Sequence, residues 1–345
     1  MTWMQSLVYV DKKQIEWREA PAPTLSDDAD VLVRPLAASF CDLDRAIARG
    51  HSPFVGPFAL GHEAVGEVVD VGAGAALHGM EPGQRVVIPF YVSCGACDRC
   101  TAGRPLNCRR TPWLASYGNP AGGSWGGLFD DVVRVPWGAT SLVPVPQELS
   151  SVLAASVGDN LTDAFVAVGP YLSDHQDASV LVLGGTPSLG LMVVMFAVEL
   201  GTGPVTYVDD DPQRCATARR FGAHVIEQSL PERVEGEYDL VVEAHGNPKR
   251  APAVAVRSVK PGGHCHFRCV YFADVTLPYL EICEKGVTIE VGLPQIQVHA
   301  PRVLDLLSGS AASVSALLNP SSDWSHAPDA VLEPTAGKPV FVRER

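Results

Sequence analysis

VLVLGGTPSLGLMVVMFAVEL, residues 180–200, carries three signals in one run. Val180 to Leu183 is short and wholly apolar, the pattern of a strand buried on both faces. GGTPSLG, Gly184 to Gly190, is a glycine-rich turn, and Leu189 to Leu200 continues as an apolar helix. A second strand follows at VTYVD, Val205 to Asp209, then a helix near Pro212 to Phe221. Further strands are expected at Leu240 to Glu243, at about His264 to Val270 and at Val287 to Val291. Strand, glycine turn, helix and strand again is the βαβ unit of a doubly wound parallel sheet.

Glycines at such a turn let the backbone approach a pyrophosphate seated on the N-terminus of the next helix. The run is irregular, because from Gly185 to Gly190 the middle glycine of G-x-G-x-x-G is replaced by Pro187. Asp209 ends the second strand, 19 residues beyond Gly190. A carboxylate there accepts the adenosine-ribose hydroxyls and repels a 2′-phosphate, which favours NAD(H) over NADP(H). Arg214 is close enough in sequence to reach the same ribose. Cofactor contacts are therefore expected from Gly185, Pro187, Ser188, Leu189, Gly190, Asp209 and Arg214. The competing reading of the loop is a plain strand-to-helix turn with a capping Asp; the strand spacing and Asp209 together weigh against it.

Outside this region the chain changes character. Residues 1 to about 150 read as β-rich, with apolar runs at Val31-Leu32-Val33, Val65 to Val71 and Arg85 to Ile88 broken by Gly and Pro. Leu149 to Val168 has helical spacing, and the last fifty or so residues return to mixed character. At 345 residues and 46% apolar the chain suits two domains with substantial cores. Net charge is −13 and no basic cluster exceeds Arg109-Arg110, so nucleic acid is not an expected partner. MTWMQSLVYVDKKQ lacks the layout of a signal segment, and Leu189 to Leu200 is too short to span a bilayer. A soluble, cytoplasmic protein without a membrane partner is expected.

Cys94, Cys97, Cys100 and Cys108 stand in CGACDRCTAGRPLNC, spaced C-x2-C-x2-C-x7-C. Four thiolates so close can enclose one tetrahedral zinc ion in a lobe with little apolar core of its own. Iron–sulfur chemistry also uses C-x2-C-x2-C, but a ferredoxin-type run closes with C-x3-C-P. Here the fourth cysteine comes after seven residues and precedes Arg109. A second, dispersed set comprises Cys41 in SFCDLD, His62 and Glu63 in GHE, and Asp159 in VGDNLTD. Thiolate, imidazole and carboxylate all suit zinc, although spacing alone does not join these residues.

In chain order the motifs resemble those of the zinc-dependent medium-chain dehydrogenase/reductase, or alcohol dehydrogenase, family. Cys41 with Asp44, GHEAVGEVVDVG (Gly61 to Gly72), PGQRVVIP leading into the cysteine lobe, GGSWGGLFDDVVRVP after it and VDDDPQRCATARRFGA each match a family segment. The resemblance implies an α/β protein with a GroES-like β-rich catalytic domain over residues 1–150, completed by about 295–345. A Rossmann NAD-binding domain would occupy 151–294. It also implies a catalytic zinc held by Cys41, His62 and Asp159, with Glu63 a fourth ligand in one state and an exchanging neighbour in another. Asp44 would orient the His62 ring. The Cys94–Cys97–Cys100–Cys108 lobe would hold a structural zinc, giving two zinc ions per chain alongside NAD(H). The implied assembly is a homodimer or homotetramer.

One departure from the family pattern concerns proton transfer. Many relatives place Ser or Thr two residues after the first cysteine ligand and His five residues after it. Here those positions are Leu43 and Ala46, which carry no proton. Either the reaction differs or Asp163, Asp42 or His51 substitutes; the competing reading of Asp163 is a first-turn carboxylate with solvent access. Cys269 falls where relatives usually have Gly beside the nicotinamide, and Leu43, Phe54, Phe58, Trp113 and Trp125 are candidates for an apolar substrate pocket. The expected activity is hydride transfer between NAD(H) and an alcohol or its aldehyde or ketone. The alternatives are NADH-dependent reduction of a conjugated C=C or C=N bond, which needs no hydroxyl relay, and a non-catalytic zinc-stabilised NAD-binding protein.

Overall fold

The computed structural model describes residues 2–321, 323–335 and 337–343. Two compact units emerge: Met1–Thr162 with Pro294–Arg345, and Asp163–Leu293. Among the described residues no helix is long and apolar enough to cross a membrane.

In Asp163–Leu293, six parallel strands form one sheet in the order His224–Glu227, Val205–Asp209, Val180–Leu183, Tyr238–Glu243, Val259–Phe267, Thr288–Val291. All four residues of VLVL are buried, as a central strand covered on both faces requires. The apolar helix Leu189–Leu200 and the helix Pro212–Arg220 lie where the sequence places them. Parallel pairing sets Val208 beside Leu183, so Gly184 and Asp209 emerge together at the carboxyl ends of their strands. Ligands of such sheets bind at that edge. The strand expected from His264 begins earlier, at Val259, and ends at Phe267. His224–Glu227 was not legible as a strand, because it is an edge strand of half-exposed and exposed residues with no apolar run.

The first unit is antiparallel in character. Its larger sheet runs Leu318–Ser321, Lys338–Val342, Val31–Ser39, Glu63–Val71, Arg85–Ile88, Val143–Pro144, with Val133–Val135 paired to Val31–Ser39. A smaller sheet joins Gln14–Pro21, Trp3–Asp11 and Phe58–Ala59. Within the core, Phe40 stacks on Phe129 at 4.4 Å and meets Phe341 edge-on at 5.6 Å. This packing fixes the residue immediately before Cys41.

The helix expected across Leu149 to Val168 is two helices, Ser151–Ala154 and Asn160–Asp174. Between them the chain runs against the strand Arg85–Ile88. A Cβ on Gly158 would stand 2.4 Å from the Ile88 carbonyl oxygen, and Phe90 N–H donates to the Gly158 carbonyl. The break therefore leaves Asp159 at the mouth of the second helix rather than inside a continuous one.

Candidate active site and metal centres

The strand Val31–Ser39 ends one residue before the Phe40–Cys41 step, and Cys41 is the N-cap of the helix Asp42–Ala48. Its Sγ accepts from Leu43 N–H, while Asp44 Oδ2 accepts from Cys41 N–H, which makes a capping box. The local structure thus aims the thiol and places Asp44 beside it. The strand Glu63–Val71 pairs Glu63 with Ser39, which brings the preceding His62 alongside Cys41.

Cys41 Sγ lies 3.0 Å from His62 Nε2, and Asp159 Oδ2 lies 3.4 Å from the same nitrogen. The other ring nitrogen, Nδ1, stands 3.0 Å from Asp44 Oδ1. Asp44 therefore serves two ends of the site, tying the cap and fixing the imidazole so that Nε2 faces the thiol and the carboxylate. The three donor atoms lie within 4.8 Å of one another. A sulfur, an imidazole nitrogen and a carboxylate oxygen converging in a buried site are a donor set that zinc accepts with a fourth position to spare.

The electrostatics agree with that donor set. Burial pushes the Cys41 thiol up to about 12, against the pull of His62. Burial would lower His62, yet the Asp44 carboxylate, with Asp159, holds it well above the usual imidazole range. Asp159 would be raised by burial but is held below the usual carboxylate range by His62. Proton-laden sulfur and imidazole against an ionised carboxylate describe a cluster whose protons a cation would displace.

Glu63 does not join this set. Its Oε1 accepts from Ser156 Oγ and from Asn160 N–H, and its Oε2 lies 2.5 Å from Lys338 Nζ. Lys338 also donates to Asn160 Oδ1 at 2.7 Å. Both ends of the pair have no solvent exposure. Val340 pairs with Ser39, and Ser39 with Glu63, so register across three strands delivers the lysine to the glutamate.

The four-cysteine lobe is a separate cluster. Cys94, Cys97, Cys100 and Cys108 also bring their sulfurs within 4.8 Å of one another. Backbone N–H groups point at these sulfurs: Cys94 at Cys108, Cys97 at Cys94, Arg109 at Cys97 and Arg110 at Cys108, at 3.3–3.5 Å. The amides of Arg109 and Cys100 pull the Cys97 thiol down to about 6. Amide donors on sulfur favour thiolate, the form that binds metal. None of the nine cysteines is disulfide-bonded.

At the glycine turn, Gly185 has φ +144°, and a Cβ there would stand 2.7 Å from the His245 carbonyl oxygen. A Cβ on Gly184 would meet the Tyr207 hydroxyl at 2.3 Å. Ser188, the N-cap of the helix Leu189–Leu200, makes no side-chain bond to the helix N–H groups. Pro187 and Leu189 flank it in the turn. A cradle that admits only glycine, opening on a helix N-terminus with no side-chain cap, fits a pyrophosphate. Asp209 is 3% exposed and bound by Arg214 through Nε and Nη2, both at 2.7 Å.

The remaining sequence candidates are dispersed. Asp163 is buried and ion-paired with Arg268 through Oδ1. His51 is exposed. Leu43, Phe54, Phe58 and Trp125 pack against the first unit's core, whereas Trp113 is 70% exposed. Cys269 neighbours Glu243 and Tyr271. Sequence reasoning missed Lys338, Asn160, Ser156 and Tyr207. The available signal was charge: a lysine opening the apolar strand KPVFV invites the question of what neutralises it.

Residues 27–147 match the alcohol dehydrogenase GroES-like domain. The chain is 30% identical over 261 residues to a medium chain reductase/dehydrogenase of Acremonium sp, covering 71% of this chain and 86% of that one. It is 26% identical over 320 residues to a probable zinc-binding alcohol dehydrogenase of Mycobacterium tuberculosis, covering 91% of this chain and 81% of that one. Among solved structures it is similar to an alcohol dehydrogenase from Thermus sp. ATN1, with a TM-score of 0.87 at 29% identity over 99% of this chain and 100% of that one.

Proposed function

The chain belongs to the zinc-dependent medium-chain dehydrogenase/reductase family and is an oxidoreductase; from that premise we propose that it transfers a hydride between NAD(H) and an alcohol or its aldehyde or ketone partner. The observation that carries this reading is the convergence of Cys41 Sγ, His62 Nε2 and Asp159 Oδ2 in one buried cluster. These three residues would hold a zinc ion, which when bound polarises the substrate oxygen and lowers its pKa. Asp44 fixes the His62 ring against rotation. Glu63 is held aside by Lys338, Ser156 and Asn160, which leaves the fourth position to substrate. The glycine turn and Asp209 seat the dinucleotide, with Asp209 favouring an unphosphorylated ribose. The cysteine lobe would hold a second zinc ion that is structural, because four thiolates leave no position for substrate. A small alcohol or carbonyl compound is the proposed partner, and a homodimer or homotetramer the proposed assembly.

Leu43 and Ala46 supply no hydroxyl or imidazole beside Cys41, and this favours a second reading, reduction of a conjugated C=C or C=N bond by NADH on the same site. Metal analysis and a steady-state panel separate the possibilities. Two zinc ions per chain and zinc-dependent oxidation of alcohols by NAD⁺ are expected, with Cys41→Ser abolishing turnover. Inactivity towards every alcohol alongside reduction of enals or imines would install the second reading. A single zinc ion, lost in Cys108→Ser, would replace both with a non-catalytic role.

A further inference from the structure

The residue two before Asp209 on its strand is Tyr207, and it is completely buried. Its ring lies beneath the glycine turn: a Cβ on Gly184 would strike its hydroxyl, and one on Gly190 would stand 3.5 Å from its ring. The hydroxyl donates to Asp209 Oδ2 at 2.5 Å. That oxygen also accepts from Arg214 Nε, while Oδ1 accepts from Arg214 Nη2 and from Asp211 N–H at 3.0 Å. Four donors thus fill a carboxylate that offers about four lone-pair sites. Burial would raise the Asp209 carboxyl, but the bonds from Arg214 and Tyr207 hold it below the usual range, so it stays ionised with its charge spread over these donors.

A ribose 2′,3′-diol brings two donors and needs two acceptor sites. With this arrangement in place, it gains them only by displacing existing donors. Arg214 can leave, because its side chain is 13% exposed and sits on the first turn of a surface helix. Tyr207 cannot leave, because the glycine turn covers it. A 2′-phosphate, by contrast, meets a carboxylate already neutralised by a guanidinium that could itself turn towards the phosphate.

Resting on the reading of this turn as the dinucleotide site, we propose that Tyr207 is a specificity-determining residue of that site. By occupying an acceptor position on Asp209 from below, it weakens the preference of that carboxylate for a ribose diol over a 2′-phosphate. The sequence alone suggests a preference for NAD(H) set by Asp209, with Arg214 within reach of the same ribose; Tyr207 relaxes that preference further.

The test is equilibrium binding of NAD⁺ and of NADP⁺, by titration calorimetry, to the wild-type protein, Tyr207→Phe, Asp209→Asn and the double variant. Removing the hydroxyl should raise the ratio Kd(NADP⁺)/Kd(NAD⁺) about fivefold, the equivalent of one net hydrogen bond. Tyr207→Met, which also lacks a donor, should move the ratio in the same direction should the phenylalanine variant fold poorly. In the Asp209→Asn background the same change should leave the ratio within about twofold, since the coupling runs through the carboxylate. A ratio unchanged or lowered by Tyr207→Phe overturns the proposal, as does an equal shift without Asp209. If neither dinucleotide binds the wild-type protein, the reading of the turn itself fails; if both bind and the ratio does not move, only the role of Tyr207 fails.

Discussion

At the scale of single residues, Lys338 and Glu63 set the terms. Both are wholly buried, and each compensates the other. Removing one member of such a pair leaves an unpaired charge in the interior and costs about 3–5 kcal/mol. Lys338→Met should therefore destabilise the first unit by about that amount in urea unfolding, and Lys338→Arg much less. With the lysine gone, Glu63 is also released towards the Cys41–His62–Asp159 cluster, so a rise in zinc affinity should accompany the lost stability. Asp163 poses a related question. It faces Arg268, whose side chain is 1% exposed, so Asp163→Asn should lower the melting temperature and leave the pH–rate profile in place. A profile shifted at unchanged stability would instead assign Asp163 to proton handling. Cys41, His62 and Asp159 were joined only through the family resemblance carried by runs such as SFCDLD and GHE, since spacing alone does not connect them. Lys338 was not legible, because a lysine at the head of a strand ordinarily reaches water, and only the register of three strands shows that this one does not.

At the scale of elements, the glycine turn and the strand beneath it act as one piece. Gly184→Ala would drive a methyl group into the Tyr207 hydroxyl and ring, with contacts of 2.3–2.5 Å. Overpacking of this kind costs about 1–3 kcal/mol. The variant should melt earlier and bind dinucleotide more weakly. Tyr207→Phe should not rescue it, because the ring remains, and Tyr207→Ala should not restore stability either, because emptying a fully buried aromatic site costs about 3–5 kcal/mol. Turn and strand were both evident from the sequence, since apolar runs and glycines report local geometry. The contact between them was not, because a tyrosine in VTYVD reads as another buried strand residue. The break between Ser151–Ala154 and Asn160–Asp174 escaped for the same reason. It is imposed by a neighbouring strand and not by a breaker of its own beyond Gly158.

At the scale of the whole molecule, net charge is −13, and buried carboxyls are sensitive points in such a chain. Asp130 is 2% exposed, accepts from Ser6 Oγ and Gly127 N–H, and is pushed by burial from 3.8 up to about 7. Its folded form therefore holds a proton that the unfolded form releases, across the window from about 4 to 7. Stability from this group is complete below that window and is lost as pH rises through it. Asp130→Asn should flatten that part of the stability–pH curve and raise the melting temperature at pH 8 more than at pH 5, as calorimetry would show.

The two-unit α/β plan was readable because each half has its own periodicity, and the family resemblance also led us to expect the first unit to be built from distant segments; the strand register that joins Lys338–Val342 to Val31–Ser39 was not readable. That discontinuity has a consequence in the order of synthesis. Residues 163–293 are contiguous and can close their sheet while the last strand is still inside the ribosome. Glu63, made early, has no counter-charge until Lys338 emerges. Cys41, His62 and Asp159 are therefore all made before the lysine that holds Glu63 aside, and the division of labour between the two carboxylates is set only when the strand Lys338–Val342 joins the sheet.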